Sequence, residues 1–171
     1  RNHSSAASDV YKRQALDELS SRTVIKPDTV RSVLCLIDLN ILNEPNLNAY
    51  IEDLFEIKKN KIMTVYYASK RSKELTSYSP LFCNRHLHWD GTLIHPMKKK
   101  IMSKKYDLLF NFFIKDNRTL QSISSHVKAD FRVGFATVDH RLNDLMLGNE
   151  NNSAEQFFNT FNNFFFKIST E

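Results

Sequence analysis

Apolar positions along the chain follow two rhythms. Val33-Leu34-Cys35-Leu36-Ile37, Ile62 to Tyr67 and Tyr106 to Phe113 are unbroken or nearly unbroken runs of strand length, the pattern of strands buried on both faces. Between them, Leu47, Tyr50, Ile51, Leu54 and Phe55 repeat at helical spacing, with Pro45 ahead of the stripe and Lys58-Lys59 behind it. A second stripe at Leu120, Ile123, Ser124 and Val127 leads into an alternating strand at Phe131, Val133 and Phe135. Strand, helix and strand in succession make βαβ units, whose right-handed crossovers build a parallel sheet.

The segment from residue 70 to 95 carries the weakest pattern. Ser72 to Tyr78 fits a turn or two of helix, Leu81-Phe82-Cys83 a short third strand, and His86 to Gly91 a loop. Pro96 suits the first turn of a helix reaching Lys104. After the fifth strand, Leu142, Leu145 and Met146 fit a helical turn, while Leu145 to Leu147 fits a short edge strand equally well. A final helix opens on a capping box, Ser153 and Gln156, and aligns Phe157, Phe158, Phe161, Phe164, Phe165 and Ile168 on one apolar face.

Alternating strands and helices predict an α/β domain of three layers, Rossmann-like, with a mainly parallel five-stranded sheet in the order 3-2-1-4-5. That order sets strands one and four side by side at the topological switch point, where sheets of this kind bind ligands. Asp38 and Asn40 would stand at its mouth on one side, Lys115, Asp116 and Asn117 on the other.

Composition narrows the class. The 171 residues are 42% hydrophobic and 25% charged, ordinary for a globular domain, with thirteen Phe against one Trp. Three isolated glycines, Gly91, Gly134 and Gly148, cannot assemble a phosphate loop. No apolar run approaches the ~18 residues of a membrane span, and no signal-peptide pattern is visible. Cys35 in a strand and Cys83 in a polar connector read as reduced thiols, so a cytoplasmic protein is expected. The string from Ser4 to Gln14 resembles a translated sequencing adapter. On that reading residues 1–14 are a non-native tail, residues 15–171 are the domain, and the true N-terminus is missing. The tail carries Arg1, Lys12 and Arg13 against Asp9, so the formal +5 falls to +3 for residues 15–171. An excess that small reads as solvated surface, and nucleic acid is not an expected partner. Lys98-Lys99-Lys100 with Lys104-Lys105 reads the same way.

Candidate chemistry is sparse. His86, His88 and His95 with Asp90 match no zinc spacing and read as surface histidines beside Trp89, so neither a metal nor a cofactor is expected. No nucleophile elbow exists, and neither cysteine has a histidine partner at a catalytic spacing. Asp38, Asn40, Asp116 and Asn117 would form a hydrogen-bonding patch at the switch point, or would serve as turn and helix caps. Arg141, in the polar cluster Asp139-His140-Arg141-Leu142-Asn143-Asp144, either clamps an anion with Asn143 and Asp144 beside it, or pairs with its neighbouring carboxylates.

Two resemblances follow. Tyr106-Asp107-Leu108-Leu109, Ser124, Lys128 to Phe135 and Arg141 to Met146, with Trp89 and Gly91, resemble a bacterial family of small uncharacterised proteins, a domain of unknown function, across residues 15–170. The segment Tyr106 to Phe135 is also similar to one domain of heptosyltransferase-like glycosyltransferases, in which a buried "YDL" strand, a helix and an "RVGF" strand follow one another. That second resemblance implies a fold. Its Gly-Asp pair after strand one, with the Asp at the catalytic centre, is here replaced by Asp38-Leu39-Asn40. The expectation is therefore a non-catalytic binding or interaction module for a protein partner or a small anionic ligand. The alternative is a degenerate glycosyltransferase-like fold holding a sugar or nucleotide.

Overall fold

The computed structural model describes residues 2–41, 46–148 and 153–167. Its spine is a parallel sheet of β1 (Val33–Asp38), β2 (Ile62–Tyr67), β3 (Leu81–Phe82), β4 (Lys105–Phe112), β5 (Lys128–Phe135) and β6 (Leu145–Leu147). The strand order is β3-β2-β1-β4-β5-β6, and every neighbouring pair is parallel. β1 and β4 lie side by side in the same sense, Val33 opposite Leu108 and Ile37 opposite Phe112. The order expected for five strands is thus present, extended by a sixth at the β5 edge. Of the two readings of Leu145 to Leu147 the strand is the one formed, while His140–Leu142 turns as a short 3-10 helix.

Alternation along the central strands sorts side chains to two cores. On one face Val33, Cys35, Ile37, Leu108, Phe110, Phe112, Phe131 and Val133 meet α2 (Asn48–Phe55) and α5 (Ala154–Phe165). On the other Leu34, Leu36, Val65, Leu109 and Phe113 meet α1 (Asn2–Ser21), α3 (Lys98–Met102) and α4 (Arg118–His126). Helices on both faces of the sheet make the three layers.

Ser153 caps α5, its hydroxyl accepting from the Gln156 N–H. Phe157, Phe158, Phe161 and Phe165 are buried, each contributing roughly 1.5–3 kcal/mol before entropy is subtracted. Phe164 departs from the expected face and is 53% exposed, because it stands about 100° around the helix from Phe165. Ile168 and Pro45 lie outside the described residues. α1 runs unbroken across residue 14, burying Ala15 and Leu16, and Tyr11 stacks on His126 with ring centroids 4.6 Å apart. Both cysteines are free and buried, Cys83 included, although polar residues follow it in sequence. Among the described residues no helix is long and apolar enough to cross a membrane.

Candidate functional site

The carboxyl ends of β1, β2 and β4 gather most of the polar residues that the sequence singles out. Asp38 closes β1 opposite Tyr67, the last residue of β2. It is 8% exposed, and its Oδ1 accepts from the N–H and the Nδ2 of Asn40, both at 3.0 Å. Burial raises the Asp38 carboxyl above its usual range, against the lowering pull of those two hydrogen bonds.

Asn117 caps α4. Its Oδ1 accepts from the N–H groups of Thr119 and Leu120, while its Nδ2 donates to the Tyr67 hydroxyl at 2.8 Å. That hydroxyl donates to Asn84 Oδ1 at 2.7 Å, which also accepts from the Thr119 hydroxyl. Tyr67, Asn84, Asn117 and Thr119 thereby lash the start of α4 to the end of β2 and to the segment after β3. Beside this network opens a cleft of about 390 Å³, lined by Asn84, Leu87, His88, Trp89, Asn117, Arg118 and Thr119. The indole of Trp89 is 65% exposed there.

The remaining candidates are engaged in ties between segments. Asp116 Oδ1 accepts from Gln121 Nε2 and from the Asp139 N–H, joining the β4–α4 loop to the segment after β5. Arg141 forks onto Asp139 through Nε and Nη2 and reaches Asp17 of α1 with Nη1 at 3.1 Å. The Arg141 hydrogen bonds hold the Asp139 carboxyl below its ordinary value. Asn143 is buried, its Oδ1 accepting from Asn111 Nδ2 at 2.9 Å. Asp144 accepts from the Arg132 N–H at 2.9 Å and pairs with Arg22. Of the candidate binding residues Asp38, Asn40, Asp116, Asn117, Arg141, Asn143 and Asp144, Asn117 alone lines the cleft, together with His88 and Trp89, which the sequence places at the surface. Arg141, Asn143 and Asp144 stitch the β5–β6 connection to α1 and to the sheet.

The histidines divide as well. His86 and His95 are half-buried, with ring centroids 4.8 Å apart, so the expectation of surface imidazoles holds only for His88. Asp90 accepts from the N–H and hydroxyl of Thr92. Among the described residues no group of three or more His, Cys, Asp or Glu is placed to hold a metal ion.

Two features escaped the sequence. One is the cleft wall formed by residues 84–89, from a segment whose hydrophobic pattern is too irregular to signal it. The other is Arg132, fully buried, whose guanidinium donates to the carbonyls of Leu142, Val127 and Ser124 and to the Ser124 hydroxyl. Desolvation, with Arg22 nearby, brings its pKa down to about 9, against the pull of Asp144. It therefore remains a cation at neutral pH, seated at the carbonyl end of α4 where the helix dipole favours positive charge.

The chain belongs to DUF6913, a family of unknown function whose model matches residues 7–168. No curated protein matches the chain.

Proposed function

We propose that this DUF6913 chain is a non-catalytic binding module that takes a small anionic ligand in the cleft at the carboxyl end of its sheet. The observation that carries the reading is the cleft itself, between the segment after β3 and the start of α4. At about 390 Å³ it has the size of a small-molecule site, and it combines an exposed indole with Arg118, His88 and a set of fixed amide and hydroxyl groups. An aromatic face binds a planar or ring-shaped part of a ligand, while a guanidinium suits phosphate or carboxylate. The carboxylates nearby support binding over catalysis because they are committed to structural bonds, Asp38 to Asn40 and Asp116 to Gln121 and the Asp139 N–H.

A second reading treats the same end of the sheet as the sugar or nucleotide site of a degenerate glycosyltransferase-like fold. In its favour stands Asp38, a buried carboxyl with a raised pKa beside the Tyr67 end of β2.

A thermal-shift screen with inorganic phosphate, nucleoside phosphates and nucleotide sugars at millimolar concentration tests both. A ligand present at a hundred times its Kd stabilises the fold by ~2.7 kcal/mol. The shift should vanish in Trp89→Ala. Absence of any shift, or a shift that survives in Trp89→Ala, overturns the cleft as the site. Turnover of any of these compounds, abolished by Asp38→Asn, overturns the non-catalytic reading.

A further inference from the structure

The wall of the cleft that carries Trp89 is held at both feet by histidines. The segment leaves the sheet after Phe82 and turns at Asn84–His86, then folds back through a Leu87–Leu93 bridge. At the first foot His86 Nδ1 accepts the Cys83 N–H at 2.9 Å, while the Cys83 sulfur accepts from the His86 N–H. At the second, His95 Nδ1 accepts the Met97 N–H at 3.1 Å. The Ile94 N–H donates to the His86 carbonyl at 2.6 Å and draws the two feet together. Their rings meet edge to face at 4.8 Å, and His95 stacks on Phe82 at 4.2 Å.

Each Nδ1 faces a main-chain donor, which defines the protonation state. The hydrogen bonds require both Nδ1 atoms to be bare, so both imidazoles must be neutral and carry hydrogen on Nε2. A proton added at either Nδ1 replaces a hydrogen bond with two donors facing each other. It also sets a positive charge beside a second imidazole and close to arginines.

We propose that His86 and His95 form a proton-sensitive clasp, which holds the Trp89 wall of the cleft in place at neutral pH and releases it on acidification. The inference adds regulation to the cleft proposed above and rests on that reading for its functional meaning. The charged and titratable neighbours of the two rings all act in the same direction, and one main-chain carbonyl opposes them. His86 is lowered by burial first, then by His95, Arg85 and Arg71. His95 is lowered by burial and by Arg71, against a hydrogen bond to the Leu81 carbonyl that raises it. The remaining group at this point, the Cys83 thiol, is raised by burial and stays protonated. A histidine whose folded pKa is depressed contributes full stability above its unfolded value, about 6.5, and loses that contribution as pH falls toward the folded value. The clasp is therefore shut at pH 7.5 and loses stability as pH falls below the unfolded value, about 6.5.

Trp89 is the single tryptophan in the chain, so its emission reports this wall alone. Emission of the ligand-free protein, followed from pH 8 to pH 5, should show a transition below pH 6.5. Replacing both imidazoles by asparagine (His86→Asn with His95→Asn) supplies an amide oxygen that accepts an N–H but does not titrate. That variant should keep the neutral-pH spectrum and lose the transition. His88→Gln, which removes the imidazole next to the indole, should leave the transition in place.

Amide exchange of the unsubstituted protein gives a reading independent of any variant's folding. Between pH 7.5 and 5.5, after correction for intrinsic rates, protection at Cys83 and Met97 should fall about tenfold per imidazole while Leu109 stays protected. A flat emission profile, a transition that persists in the double variant or disappears in His88→Gln, or unchanged protection at Cys83 and Met97 would overturn the clasp. These readings use no ligand, so their failure is separable from a cleft that binds nothing.

Discussion

Asn143 lies directly across Gly134, so close that a Cβ at position 134 would sit 2.5 Å from the Asn143 Nδ2. This contact makes the sixth strand possible. The connection from β5 to β6, residues 136–144, is shorter than the roughly dozen residues usual for a parallel crossover. It must hug the strand it leaves, and glycine removes the side chain that would hold it off. The approach also closes a buried chain of polar groups. Arg132 donates to the Ser124 hydroxyl, which donates to Asn111 Oδ1, and Asn111 Nδ2 donates to Asn143.

Gly134→Ala should therefore destabilise the protein by about 1–3 kcal/mol, the cost of overpacking a close-packed site. Asn143→Ala in the same chain removes the clashing amide, so the two substitutions should couple by ~0.5–3 kcal/mol. Urea denaturation of the two single variants and the double variant measures the cycle. Strict additivity would show that the contact does not constrain the crossover.

Arg132→Met should cost about 3–5 kcal/mol, since it strips the hydrogen bonds from the carbonyls of Ser124, Val127 and Leu142 in a place water does not reach. Arg132→Lys should rescue little, because one ammonium cannot span acceptors on α4 and on the β5–β6 connection. Chemical denaturation at pH 7 checks both; a loss under 1 kcal/mol in Arg132→Met would contradict the network.

Asp38 predicts a pH effect of defined sign. Its folded pKa is raised, so the folded state binds the proton more tightly than the unfolded chain does. Its contribution to stability is then greatest below the unfolded value, ~3.9, and declines as pH rises through the folded one. Asp38→Asn keeps an acceptor for Asn40 and removes the desolvated charge. It should raise stability at pH 7 by ~0.5–2 kcal/mol and leave a smaller difference in acid, read from denaturation midpoints at the two pH values. A variant less stable than the parent at pH 7 would reverse the assignment.

The aromatic helix separates burial from mere composition. Phe161 is fully buried against Phe55 and Phe110, whereas Phe164 faces outward. Phe161→Ala should cost ~3–5 kcal/mol, and Phe164→Ala should stay within ~0.5 kcal/mol of the parent. Equal losses in thermal or urea melts would place α5 in a different rotation on the sheet.

The sequence by itself determined the layers, the strand order through β5, the parallel pairing of β1 with β4 and the cap of α5. Hydrophobic periodicity records which faces are buried, and chirality restricts how the faces are joined. Tertiary structure decided the rest. Arg132 reads in sequence as a polar residue of an alternating strand, and its burial depends on carbonyls that α4 and residue 142 bring to it. Asn84 becomes part of a cleft only because Asn117 and Thr119, more than thirty positions away, are folded against it through Tyr67. Apolar burial follows from local pattern, but a buried polar group is stable only where distant partners satisfy its hydrogen bonds.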